Sequence, residues 1–139
     1  MNNFIEAIFA QLKRADGRVV LREIRGDSFA SVTGKELLAH VQHARNYLRK
    51  FRLNAGDRCA LLGANSIRWI AVDLALMAEG IVVVPLYSRQ SPKELAGMMK
   101  DCSPKMLFVG EPELGESIAQ IWSDGPRQVS MEDALRGPA

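Results

Sequence analysis

Two histidines, two cysteines, a Gly-Lys pair and one strand-to-helix turn are the residues of this 139-residue chain whose types and spacing invite a chemical reading. His40 and His43 stand three apart on an amphipathic segment, a spacing that can set two imidazoles on one metal. On a helical wheel, however, His40 borders the apolar stripe and His43 points further towards solvent. No Cys, Asp or third His lies nearby in sequence, so the pair reads as surface histidines. Cys59 and Cys102 lack CxxC spacing and stand in apolar or helical surroundings, which reads as buried free thiols in a reducing compartment. No GxSxG elbow or catalytic-cysteine context occurs, so a hydrolase is not indicated.

Phosphate chemistry fares no better. Gly34-Lys35 lacks the upstream glycine of a Walker A loop and follows a hairpin, the wrong context for one. Leu62-Gly63-Ala64-Asn65-Ser66 joins a strand to a helix start, where backbone amides and the helix dipole can hold an anion. It has one glycine instead of three, and reads as a tight turn in which Asn65 or Ser66 caps the next helix. The strands end in Leu62-Gly63, Pro85-Leu86 and Val109-Gly110, without the aspartate of a phosphoacceptor domain. From these residues no catalytic, cofactor-binding or metal-binding position is assigned.

The elements that would position any such residue follow from hydrophobic period. Phe4, Ile5, Ile8, Phe9 and Leu12 form one face of a helix ending near Gly17. Val19 to Ile24 and Ser28 to Val32 read as a hairpin around Arg25-Gly26-Asp27. Thr33-Gly34-Lys35-Glu36 fits a capping box that opens a long helix with Leu37, Val41, Ala44, Leu48 and Phe51 on one stripe, stopped by Asn54-Ala55-Gly56-Asp57. From Arg58 the texture alternates: strand 58–62, helix 66–78, strand 81–84, helix 92–100, strand 106–109, helix 113–121 and a short strand 127–129, with Ser130 opening a last helix. This alternation predicts an α/β fold: a mainly parallel sheet with helices on both faces, in three layers, preceded by the helix and hairpin of residues 1–32. Ile81-Val82-Val83-Val84 is apolar at every position and is expected to be a central strand covered on both faces. Helix 66–78, with only Arg68 and Asp73 charged, is expected to be covered on most sides. No repeats or low-complexity linkers interrupt the chain, so residues 1–139 read as one partial domain with an alternating α/β core over 33–129.

The bulk numbers exclude several classes. With 47% hydrophobic and 24% charged residues the chain has the balance of a packed globular protein. Its net charge of +2 comes from interspersed charges, and the one basic cluster, Arg45, Arg49, Lys50 and Arg52, reads as a solvated helix face and not a nucleic-acid surface. The apolar stretch from Trp69 to Leu86 is broken by Asp73, Glu79, Gly80 and Pro85, which argues against a membrane span. The opening residues lack a basic leader followed by an apolar run, so the expected compartment is the cytoplasm.

The run from the hairpin to Val109 resembles the opening region of the AMP-forming acyl-activating superfamily, which includes acyl-CoA synthetases, luciferases and peptide-synthetase adenylation domains. Ser31-Val32-Thr33-Gly34-Lys35-Glu36-Leu37 resembles its "LTYxEL" element, and Ala55-Gly56-Asp57-Arg58 its "GDRV" turn. Asn65-Ser66-Ile67-Arg68-Trp69-Ile70 is similar to "N-x-x-E-W", with Arg68 where acid is more usual. Ala78-Glu79-Gly80-Ile81-Val82-Val83-Val84-Pro85-Leu86 is similar to "xAGAxxVPL", the most specific of these matches. Ser91-Pro92-Lys93-Glu94-Leu95 resembles "SPEEL", and Lys105-Met106-Leu107-Phe108-Val109 the strand "AKVLFV".

The resemblance implies an enzyme that joins a carboxylate to ATP with magnesium, releases pyrophosphate and passes the acyl group on, commonly to coenzyme A. It also implies that the Ser/Thr/Gly-rich phosphate loop, the ribose-holding acid and the catalytic lysine lie in polypeptide outside these residues. No cofactor is therefore expected on this chain itself. Its partner is expected to be the remainder of the enzyme, with self-association through an exposed apolar face as a consequence of separation. Val84-Pro85-Leu86-Tyr87 and Trp69 lean towards fatty acyl-CoA synthetases. Two other readings stay open: a non-catalytic module or split-gene subunit, and a small α/β nucleotide-binding domain using the Gly63 to Ser66 turn.

Overall fold

The computed structural model describes residues 4–136. Helix α1 (Phe4–Ala15) leads to an antiparallel hairpin of β1 (Val19–Arg25) and β2 (Ser28–Thr33), then to α2 (Gly34–Leu48), which ends in a 3-10 turn. The alternating part follows as β3 (Arg58–Leu62), α3 (Ile67–Ala78), β4 (Val82–Leu86), α4 (Pro92–Cys102), β5 (Met106–Val109), α5 (Pro112–Ile121), β6 (Arg127–Ser130) and α6 (Met131–Arg136). The four later strands make one parallel sheet in the order β4-β3-β5-β6. This is the α/β, three-layer arrangement that the alternation predicts.

The two helix layers follow from the direction of the crossovers. From β3 the chain steps to β4 on one side, then jumps back over β3 to β5 and continues to β6. Right-handed crossovers in opposite directions place their helices on opposite faces. Accordingly α3 packs with α1, α2 and α6 over Cys59, Leu61, Met106 and Phe108. On the other face α4 and α5 lay Leu95, Met99 and Ile118 over Ala60, Leu62, Leu107 and Val109. Successive side chains of a strand point to opposite faces, so one short apolar strand serves both cores. That is why β3 and β5 tolerate almost no polar residue.

Local chemistry fixes the boundaries. Thr33 accepts from the Glu36 amide and Glu36 returns a carboxylate to the Thr33 amide, and Ser91 and Glu94 do the same at α4. Gly80 ends the α3 turn at φ +77°, a conformation that side chains resist. Helix α3 is covered on most sides, as its composition requires, with Ile67, Ala71, Val72, Leu74, Ala75 and Leu76 all buried.

One expectation is corrected. The apolar run 81–84 is not a central strand: β4 lies at the edge of the sheet, paired with β3 alone, and Val82 is 48% exposed. The strand also does not stop at Pro85, which pairs in register with Leu61 and is followed by Leu86. Proline explains both. The Val82 amide donates to Asp57 O, so strand alternation turns the next but one pair of backbone groups, those of Val83 and Pro85, away from β3. A residue without an N–H is tolerated where that N–H would face outward from an edge.

The sharpest steric constraint is where α1 crosses the start of α2. A Cβ on Gly34 would meet the Leu12 carbonyl oxygen below any contact distance and the Ala15 Cβ at 2.9 Å. Gly97 on α4 has open space around it. Gly34→Ala is expected to lower the unfolding free energy by about 2 kcal/mol, the scale of an overpacked site, and Gly97→Ala to raise it by about 0.5–1 kcal/mol through helix propensity. Urea titrations of both variants read the two signs.

Candidate functional site

In an open parallel sheet the crevice for a ligand lies at the carboxyl ends of the strands, where the crossovers reverse direction. Here that point is between β3 and β5. Leu62-Gly63 and Val109-Gly110 end there, and α3 and α5 begin there. Two shallow depressions border it. One, of about 360 Å³, lies among Glu23, Arg25, Ser66, Arg68 and Glu111. The other, of about 600 Å³, lies among Ser88, Glu111, Glu113 and Ser117 at the start of α5.

The crevice itself is filled by the protein. A Cβ on Gly63 would stand 3.4 Å from Gly110 Cα and 3.4 Å from Met131 Cε, and one on Gly110 would stand 3.3 Å from Met131 Sδ. The two glycines therefore allow two loops and a methionine to close on one another, and Met131 is 1% exposed. Neither glycine has positive φ. The turn is a packing device, not a cradle.

The start of α3 is equally committed. Ser66 Oγ accepts from the Trp69 amide at 3.0 Å, so of the two caps that the sequence offers, Ser66 is the one used. The Ile67 amide donates to Glu23 Oε1 at 2.8 Å, across 44 residues of sequence. Helix amides and the dipole attract an anion, and the anion is a carboxylate of β1. Arg25 Nε donates to the other oxygen of Glu23 at 2.7 Å. Arg25 first, and then the Ile67 amide, hold the Glu23 carboxyl below the usual glutamate range.

The other residues singled out by type fall elsewhere. His40 and His43 are both half-buried on α2, so His43 is less solvated than the wheel suggests. Among the described residues no group of three His, Cys, Asp or Glu is arranged to hold a metal. Cys59 is buried at the centre of the sheet, and burial pushes its thiol up to about 11. Cys102 is only half-buried, against the expectation of two buried thiols, because it ends α4 with its Sγ turned to Met99 O. Arg49, Lys50 and Arg52 of the basic cluster are exposed, as its pattern implies, and Arg45 is half-buried. Arg45 and Arg49 both pair with Glu79, at 2.8 and 3.4 Å, tying the end of α2 to the end of α3.

The α3 turn does not fit ATP and magnesium: its Ile67 and Trp69 amides are bonded to Glu23 and Ser66, and a methionine fills the switch-point crevice. Glu23 and Met131 were the site residues hidden from a linear reading. Glu23 carries a faint signal, an acid at an inward-facing position between Leu21 and Arg25, but nothing in sequence points it to Ile67.

The fold has counterparts among known proteins. The family model described as AMP-binding enzyme matches residues 8–136. The chain belongs to the AMP-binding enzyme family. Among its relatives, the long-chain-fatty-acid CoA ligase FadD15 of Mycobacterium tuberculosis is 24% identical over 139 residues, covering 99% of this chain and 23% of the relative. The long-chain-fatty-acid acyl-carrier-protein ligase AEE15 of Arabidopsis thaliana is 31% identical over 106 residues, 76% of this chain and 15% of its own length. In structure, the fatty acyl-adenylate ligase from L. pneumophila, solved with acyl adenylate and pyrophosphate, superposes with a TM-score of 0.78 at 13% identity, over 97% of this chain and 25% of that one. The chain thus spans less than a quarter of each of the two relatives. Among the described residues no helix is long and apolar enough to cross a membrane.

Replacing Glu23 by alanine leaves the Ile67 amide without its protein partner and is expected to cost about 1–2 kcal/mol at neutral pH. The carboxyl is depressed in the folded state, so its contribution is present above the ordinary glutamate range and is lost as pH falls through the lower folded value. Denaturant midpoints of Glu23→Ala and the parent should therefore converge in acid.

Proposed function

We propose that these residues are the amino-terminal scaffold of an AMP-forming acyl-CoA synthetase, inactive by themselves. In the complete enzyme a carboxylate and ATP would give an acyl-adenylate, and coenzyme A would take the acyl group as a thioester. The single observation carrying the scaffold reading is the family match over residues 8–136 in a chain whose β3-to-α3 turn is bonded to its own Glu23. A site that holds its own carboxylate has no reason to hold a triphosphate. No catalytic, cofactor-binding or metal-binding residue is assigned to this chain, and residues 1–139 are read as one partial domain.

The partner is the remainder of the enzyme, which supplies ATP, magnesium and coenzyme A sites. Long-chain fatty acids are the acid class that the relatives' names favour, and the cytoplasm is the compartment that fits the absence of a membrane-crossing helix among the described residues. The alternative of a small nucleotide-binding domain is opposed by the plugged crevice between Gly63 and Gly110.

Isothermal calorimetry with ATP and magnesium tests the scaffold reading. No heat of binding is expected at ligand concentrations up to the millimolar range. Micromolar affinity, about −8 kcal/mol, would contradict it, because the Ile67 and Trp69 amides of the α3 turn are already bonded within the fold.

A further inference from the structure

The helices of this fold differ in what they turn outward. Exposed charges stand on α1 (Glu6, Lys13, Arg14), α2 (Lys35, Glu36), α4 (Lys93, Glu94, Lys100, Asp101), α5 (Glu113, Glu116) and α6 (Glu132, Asp133). Helix α3 does not follow suit. Beyond Arg68 in its first turn, its least buried side is Trp69, Ile70, Asp73 and Met77, at the spacings that align residues along one stripe. All four are half-buried, and the three apolar ones pack in part against the core beneath α3 while leaving the rest of their surface open. Tryptophan and methionine are residues that protein interfaces favour.

The stripe does not end at the helix. Ile70 also lines a groove of about 310 Å³, where α3 meets the hairpin, whose apolar side is Leu21, Ile24 and Ile67 and whose polar side includes Arg22 and Asn65, and Ile24 is 86% exposed. Helix α3 also packs on the edge strand β4. Within this apolar surround, Asp73 makes no hydrogen bond or ion pair to any described residue. Burial alone pushes its carboxyl above the usual aspartate range. A carboxylate half removed from water and left unmatched lowers stability unless a cation arrives.

We propose that the α3 stripe of Trp69, Ile70, Asp73 and Met77 is the docking surface for a segment of the acyl-activating enzyme body outside these residues, an apolar segment with one lysine or arginine that pairs with Asp73. The proposal rests on the scaffold reading above. Charge complementarity selects the chemistry of the occupant. Its source follows from the relatives, in which 23% and 15% of the length corresponds to this chain and the rest must be joined to it through some face. A charge pair inside an apolar rim also fixes register, because an occupant shifted by one turn leaves both charges buried and unmatched.

The experiment uses the whole 139-residue chain and, as immobilised probe, the FadD15 polypeptide of M. tuberculosis without its matched segment, with binding read by biolayer interferometry. Asp73→Arg is expected to weaken binding about 100-fold and Asp73→Leu about 10-fold, while Gln42→Arg, on the outward side of α2, stays within about 2-fold. Asp73→Leu should itself melt higher than the parent at neutral pH, so its weaker binding cannot come from unfolding. Parent binding that is unchanged or stronger in Asp73→Leu overturns the assignment of the surface and leaves the scaffold reading standing. A parent that does not bind overturns both. A parent that sediments alone as a dimer, dispersed by Asp73→Arg, gives the stripe to a second copy and overturns the proposed occupant.

Discussion

A parallel strand has two faces and both must be dry, and most of this structure follows from that requirement at β3 and β5. Each is only four or five residues long, yet their side chains alternate into two separate cores. Two cores need two helix layers, and two layers need crossovers in both directions. The strand order β4-β3-β5-β6 is the shortest way to meet that need, since it reverses direction once, between the two strands that are most deeply covered. The same reversal opens a crevice at the carboxyl ends, which many α/β proteins give to a ligand. This chain closes it. Gly63 and Gly110 bring the two loops into contact, and Met131, the first residue of α6, completes the seal.

Closing the crevice also decides the electrostatics around it. The first turn of α3 presents amides that must bond to something. Ser66 satisfies one and Glu23 another, so the hairpin is held to the sheet by a charge-assisted bond at a helix terminus as well as by Leu21 and Val32 in the core. A two-stranded hairpin is marginal by itself. Its outer face, with Ile24 and Phe29 paired across the strands and exposed, adds little burial, which makes the Glu23 contact and the inward apolar residues the means by which it stays in place.

Elements that depend on neighbours in sequence were readable without coordinates. Thr33 and Glu36, Ser91 and Glu94, and the alternation from Arg58 onward fix caps, helices and strands through contacts a few residues long, and each lies where its pattern puts it. The three-layer α/β class follows from them. The edge position of β4 was legible too, but through Pro85 and not through the valines. An unbroken apolar run reports that a strand lies between two layers; it says nothing of how many strands flank it, whereas a missing N–H does. The Glu23 bond to Ile67 and the Met131 plug were not legible. Both join residues far apart in sequence, Glu23 with Ile67 and Met131 with Gly63 and Gly110, and neither side chain has a type or spacing that names its partner.

Asp73 marks the boundary between what the fold needs and what it does not. The Arg45 and Arg49 guanidiniums at the end of α2 go to Glu79, one and a half turns beyond Asp73 on the same helix, and leave Asp73 unmatched. Glu79 caps the helix where α2 passes close by, so pairing there strengthens an interhelical contact that the core already enforces. Asp73 has no described partner on α2 or on any other element. An acid among Trp69, Ile70 and Met77 lowers the stability of these residues taken alone, while alanine or leucine would raise it. The proposed docking contact accounts for its presence; no contact within the described fold does.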